Sequence, residues 1–240
     1  MAPPLSRWVC ELHGGEPMTA KLKIAEQVMP PYRNDAEYLE DELKWLQTRV
    51  SRISAERSYS EALTEELEGD PAHSRRPGRL DSREWRCRTI ELREKEQGLR
   101  REIVSRLQRN RTASDSPQIG LDELCLEFDL SGEERLILLC LSCISISQTL
   151  AEQTFGHFVH HWGAISVADL VEVLDPRCLA DRLEFRKFFR PNSALVQHGL
   201  ALVEREPEPA ADSLLRATVR LSLESFGKIC GDPDTINEGD

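Results

Sequence analysis

The chain has 240 residues, with 40% hydrophobic side chains, 30% charged ones and a formal net charge of −11. That apolar share suffices for at least one packed core and excludes wholesale disorder. No apolar run approaches the ~18 residues of a membrane span, and the acidic balance disfavours a general nucleic-acid binder, because phosphates would repel it.

Residues 1–34 carry no secretory signal: Arg7 and Trp8 are followed by Glu11 and Glu16, without an apolar run of the usual length. They are expected to form a flexible leader, and the expected location is cytoplasmic. Gly14-Gly15-Glu16 lies just upstream of Met18, which is therefore a candidate start of the functional protein. The 7 cysteines are scattered through apolar segments, which fits reduced thiols better than a disulfide framework. Charge divides the chain. Residues 1–114 hold 21 basic and 20 acidic side chains, and residues 115–240 hold 10 and 22. With the Ser/Gly/Pro-containing stretch near 110–118, this places a boundary at about residue 112.

The spacing of Leu39, Leu43, Leu46, Val50 and Ile53 predicts a helix over 35–57 with one continuous apolar stripe. Asn34 or Asp35 is its candidate N-cap, and Glu40–Lys44 is an i,i+4 pair on its outer face. After breaks at Gly69-Asp70-Pro71 and Pro77-Gly78, a second long helix is expected over 81–109, through Trp85, Ile90, Leu92, Leu99, Ile103 and Leu107. Together they make a helical hairpin arm over 35–112. Two stripes alone bury little, so the arm is expected to pack also on the second half or on a partner. Residues 79–111 hold 11 Arg/Lys against 6 Asp/Glu. This is either a basic face for a phosphate backbone or a solvated face laced by pairs such as Glu91–Lys95 and Glu102–Arg106, and the charge pattern favours the second.

A compact domain is expected over 113–232. It begins with a short helix at 120–127. Ser131 and Glu134 then form a capping box before the run Leu136-Ile-Leu-Leu-Cys-Leu. That helix, to about Leu150, is too apolar for a surface and should be the central core helix. Ser166 caps a helix over Val167–Leu174, and another follows over 177–189. Pro191-Asn-Ser193 opens one more turn. Strands are expected at Leu200–Glu204 and Ala217–Leu221, joined by the Pro-rich loop Glu206–Asp212, and a helix over Leu223–Cys230 ends at Gly231. The fold class is mainly α: a long-helix hairpin, then helices and a small β-hairpin in the order of a winged-helix, helix-turn-helix-like domain. Residues 233–240 read as a linker-like tail.

No phosphate-binding loop is present, since Gly227-Lys228 lacks the upstream glycine and a following Ser/Thr. Leu170-Val-Glu-Val-Leu-Asp175 superficially resembles a magnesium-holding strand end, but without that loop it reads as a helix and its terminus. Cys140-x-x-Cys143 sits in the apolar helix with no second ligand pair, so it reads as core. His157 and His161 are weak metal candidates: they are i,i+4 and could chelate if helical, but no carboxylate or cysteine completes the set. Within 177–190, Arg177, Arg182, Arg186, Lys187 and Arg190 form a basic stripe. Asp181, Glu184 and an acidic wing (Glu204, Glu206, Glu208, Asp212) oppose DNA binding there.

A set of motifs then stands out: Tyr38-Leu39-x-x-Glu42-Leu43-x-x-Leu46; Leu126-x-Phe128-x-Leu130-Ser131-x-x-Glu134-Arg-Leu-Ile-Leu-Leu; Ile165-Ser-Val-x-x-Leu170-x-x-x-Leu174; Phe189-x-Pro191-x-Ser193-x-Leu195; and Val219-x-Leu221. Over roughly residues 34–232 the chain resembles the N-terminal region of a group of bacterial AAA+ ATPases, which carry a helical segment and a winged helix ahead of the ATPase module. In that family the ATPase module follows where this chain ends, at Gly231-Asp-Pro-Asp. Its phosphate-loop lysine, magnesium-binding acid and arginine finger have no counterpart here, so no catalytic residue and no cofactor carries over. The resemblance implies a non-catalytic module that recruits a partner or substrate or controls assembly, either a piece of a longer protein or a stand-alone copy. Its partner would be a protein or an ATPase module. Contacts are expected through Leu39, Leu43, Leu46 and Val50 and through Arg182, Arg186, Lys187 and Arg190, with homo-oligomerisation through the Leu39–Ile53 stripe as a further expectation. The alternatives are a DNA-binding winged-helix regulator and a metal-dependent protein.

Overall fold

The computed structural model describes residues 29–68, 80–156, 159–160, 164–174, 184–204 and 214–232. Two long helices form the arm: α1 (Asp35–Glu68) and α2 (Ser82–Thr112). Asn34 caps α1, its Oδ1 accepting from the Glu37 N–H at 2.9 Å. α1 runs beyond the expected end at residue 57. Its apolar stripe thins there, but Glu, Ala and Leu keep helix propensity high until Gly69. Asp81 and Glu84 form a capping box at the start of α2.

Among the described residues, the second half has five helices longer than one turn: α3 (Gly120–Glu127), α4 (Gly132–Ile146), α5 (Gln148–Phe155), α6 (Val167–Leu174) and, closing it after the single-turn α7 (Ala194–Gln197), α8 (Leu223–Cys230). The expected Ser131/Glu134 capping box opens α4. Residues 136–144 of α4 are all buried, so it is the central helix. It stops earlier than expected. Ser147 is extended (φ −159), and its Oγ accepts from the Leu150 N–H, starting α5 as a separate helix.

The sheet has four strands in the order β1-β2-β4-β3, all antiparallel: β1 (Val159–His160), β2 (Ala164–Ser166), β3 (Ala201–Glu204) and β4 (Thr218–Leu221). The expected hairpin is β3–β4, in the register Ala201↔Leu221 and Val203↔Val219. β1 and β2 were not expected from sequence. β2 is only 3 residues long, and its partner β4 lies some fifty positions on, with Ile165 opposite Val219. Ile165, Val219, Leu221 and Ala201 face the core, while Leu202, Glu204 and Arg220 face outward. Between β2 and β3 come α6, a 3-10 turn at Arg186–Phe189 and the single turn α7 (Ala194–Gln197). The expected helix 177–189 and the Glu206–Asp212 loop fall largely outside the described residues.

One apolar cluster joins both halves. Tyr38, Leu39, Trp45 and Leu46 of α1 and Ile103 and Leu107 of α2 pack with α4, the sheet and α8. Tyr32 belongs to it as well, although sequence assigns residues 1–34 to a leader. Tyr32 is buried, its N–H donating to Asn110 Oδ1 at 2.7 Å and its carbonyl accepting from Asn110 Nδ2 at 2.9 Å.

Candidate interaction site

Four polar junctions hold the arm together and fix it on the body. At the first, Asp35 Oδ1 accepts from the Gly120 N–H at 2.6 Å and so caps α3 from another helix, since Ile119 offers no side-chain cap of its own. Gly120 and Gly231 leave the room this needs. A Cβ on Gly120 would lie 1.9 Å from the Lys228 carbonyl oxygen, and one on Gly231 would lie 2.5 Å from Asp35 Oδ2. Burial pushes the Asp35 carboxyl upward, partly offset by the Gly120 bond.

At the second, Glu42 is fully buried (0% exposed) and pairs with Arg135 of α4 and, at 3.1 Å, with Arg100 of α2. Arg135 also donates to the Tyr38 hydroxyl. Burial pushes the Tyr38 phenol far up, and the Arg135 charge only partly opposes this. At the third, Arg106 donates to the Pro30 carbonyl at 2.9 Å and pairs with Asp41 at 2.9 Å and with Glu37, its guanidinium 3.9 Å from the Tyr32 ring centroid. Arg106 thus turns inward instead of pairing with Glu102 as expected. At the fourth, Arg111 grips Asp122 with two nitrogens. Farther along the hairpin, Arg52 and Arg93 both reach Glu56 at 2.7 Å, and Arg49 and Arg52 reach Glu96.

These contacts revise the expected partner surface. Leu39 and Leu46 are core residues, and Leu43 and Val50 pack against that core. The α1 stripe from Leu39 to Val50 is therefore covered by the chain itself. Sequence reasoning assigns no role to Arg135. One signal was available: Glu42 falls on the same helix face as Leu39 and Leu46, and a carboxylate inside an apolar stripe calls for a buried cation.

On the winged-helix side, Phe188 and Phe189 are buried and anchor the turn that carries Arg186, Lys187 and Arg190. Ser193 Oγ locks this turn by bonding to the Phe188 and Arg190 carbonyls at 2.7 and 2.8 Å. Lys187 and Arg190 are exposed and Arg186 is half-buried. Lys187 lies 3.5 Å from Glu184 and 5.1 Å from the Phe188 ring centroid. The structure therefore brings Arg186, Lys187 and Arg190 together, while Arg177 and Arg182 lie outside the described residues. In the wing, Arg220 is held by Glu204 at 2.7 Å.

Cys140 and Cys143 are buried. Burial pushes the Cys143 thiol up to about 11 and that of Cys140 further still, which is the behaviour of core thiols. His157 and His161 lie outside the described residues. Val159–His160 between them is strand. No group of three or more candidate metal ligands occurs among the described residues, and no helix there is long and apolar enough to cross a membrane. A cleft of about 1290 Å³ opens between the end of α2, α3 and α8, with Leu126, Glu123 and Asp232 on its walls.

Strand β2, helix α6, a turn carrying basic residues and the antiparallel hairpin β3–β4, with β2 beside β4, define a winged-helix protein. Residues 21–238 match the family described as "Winged helix domain, variant", and the chain belongs to it. No curated protein and no solved structure matches the chain.

Proposed function

We propose that this protein is a non-catalytic interaction module that recruits a protein partner through the winged-helix turn bearing Arg186, Lys187 and Arg190. The observation that carries this reading is where the cations go. Arg49, Arg52, Arg93, Arg100, Arg106 and Arg111 in the arm are paired with carboxylates of the same chain, which interrupts the basic stretch and leaves Arg83, Arg86, Arg88, Lys95, Arg101 and Arg109 as separated cations along α2. The wing's Arg220 is paired as well. A phosphate backbone needs several free cations along one track, whereas a small basic cluster beside aromatic side chains suits an acidic protein surface. The resemblance to the front region of AAA+ ATPases supports the same reading, with the module delivering its partner to a motor.

Affinity capture from cytosol tests it, comparing the wild-type chain with an Arg186→Glu, Lys187→Glu, Arg190→Glu variant of unchanged circular dichroism. A protein held by the wild type and lost by the variant is the expected result. Identical captured sets would overturn the proposal.

A further inference from the structure

We infer that the outward face of α2 is a two-fold interface with a second copy of this chain. The inward face of α2 is occupied by α1 and the core, through Leu92, Ile103, Arg106 and Leu107. The opposite face carries two exposed aliphatics, Ile90 (47% exposed) and Val104 (48%). They stand fourteen positions apart on one helical stripe, about 21 Å along the axis. Glu94 and Arg101 lie between them on the same stripe, and among the described residues neither has an ion-pair partner.

Gly98 lies at the centre of this stripe. Glycine inside a helix costs about 1 kcal/mol relative to alanine, and the described residues supply no packing reason for it, since among them a Cβ there would meet nothing within 4 Å. A neighbouring helix crossing closely at that point would supply one.

The stripe is self-complementary in one direction only. Turn a second α2 antiparallel about Gln97–Gly98, and Ile90 meets Val104 of the second copy while Glu94 meets Arg101. The two-fold axis repeats both contacts. A parallel pairing instead sets Glu94 on Glu94 and Arg101 on Arg101, which charge repulsion forbids. Four helical turns make a small interface, so the dissociation constant is expected to be on the order of micromolar.

Sedimentation across protein concentration tests this on the full chain. A concentration-dependent dimer is expected. Arg101→Glu should weaken it about tenfold, and adding Glu94→Arg should restore it. In a Cys87→Ser background, the Ile90→Cys, Val104→Cys double variant should oxidise to a covalent dimer, whereas neither single variant should. These side chains are exposed, so the fold should survive and circular dichroism will show it. A monomer at every concentration overturns the inference, and so does a dimer indifferent to both charge reversals. A monomer whose Val104→Cys thiol resists alkylation would assign the face to another segment of the chain, again overturning it.

Discussion

Helix α2 meets its neighbours largely through guanidinium groups, whereas α4 meets its neighbours largely through aliphatic side chains. On α2, the residues Arg93, Arg100, Arg106 and Arg111 each reach a carboxylate. On α4, residues 136–144 are buried, and Arg135 at their N-terminal edge reaches inward to Glu42. The difference follows from how much of each helix can be covered. α4 is surrounded by the sheet and helices, so apolar burial alone fixes it. The hairpin is covered by the body on one side only, and paired charges set its register while its outer face stays charged. Glu42 is where the two regimes meet, since it serves an arginine from each.

The largest effect is expected at that meeting point. Glu42→Ala leaves Arg135 buried without its counter-charge, which costs about 3–5 kcal/mol, read as a fall in the urea midpoint. Ile137→Ala in the body should cost about 2–5 kcal/mol through the cavity it opens. Arm and body should then differ in salt response. The half-exposed Arg93–Glu56 pair is screened, so Arg93→Ala should lose its effect at 1 M salt, while Ile137→Ala should not.

A pH titration sharpens the contrast. The bond from Arg106, helped by the Arg33 N–H, holds Glu37 below its ordinary 4.5. Its contribution is present above that value and is lost as pH falls through the lowered one. Asp35 behaves oppositely. Burial raises it above its ordinary 3.8, so its contribution is present below 3.8 and is lost as pH rises through the raised value. Urea midpoints between pH 3 and 6 should therefore lose part of their acid-side fall in Glu37→Gln. In Asp35→Asn they should lose the opposing term, and the fall should steepen. The smallest effect belongs to the wing: Arg220→Ala breaks an exposed pair and should change stability by less than about 1 kcal/mol.

Features that depend on a few consecutive residues are legible in the sequence. The Ser131/Glu134 box, the Ser166 cap, the Gly231 stop and the buried run of α4 all stand where local chemistry puts them. Features that depend on distant residues are not. β2 is three residues long and is defined by β4 far along the chain. The Tyr38–Glu42–Arg135 junction joins residues almost a hundred positions apart. Its members do stand out as motif residues, but only the fold shows that they touch. The α1 stripe illustrates the same limit: periodicity shows which residues want cover, not whether the cover is a partner or the rest of the chain.

The measurement that bears most directly on the central claim is fluorescence anisotropy of a labelled DNA duplex titrated with the protein at low salt. If the paired arginines of the arm leave no continuous basic track, anisotropy should stay flat into the micromolar range. Saturable binding that weakens steeply with added salt would show free cations tracking a phosphate backbone and would contradict the account.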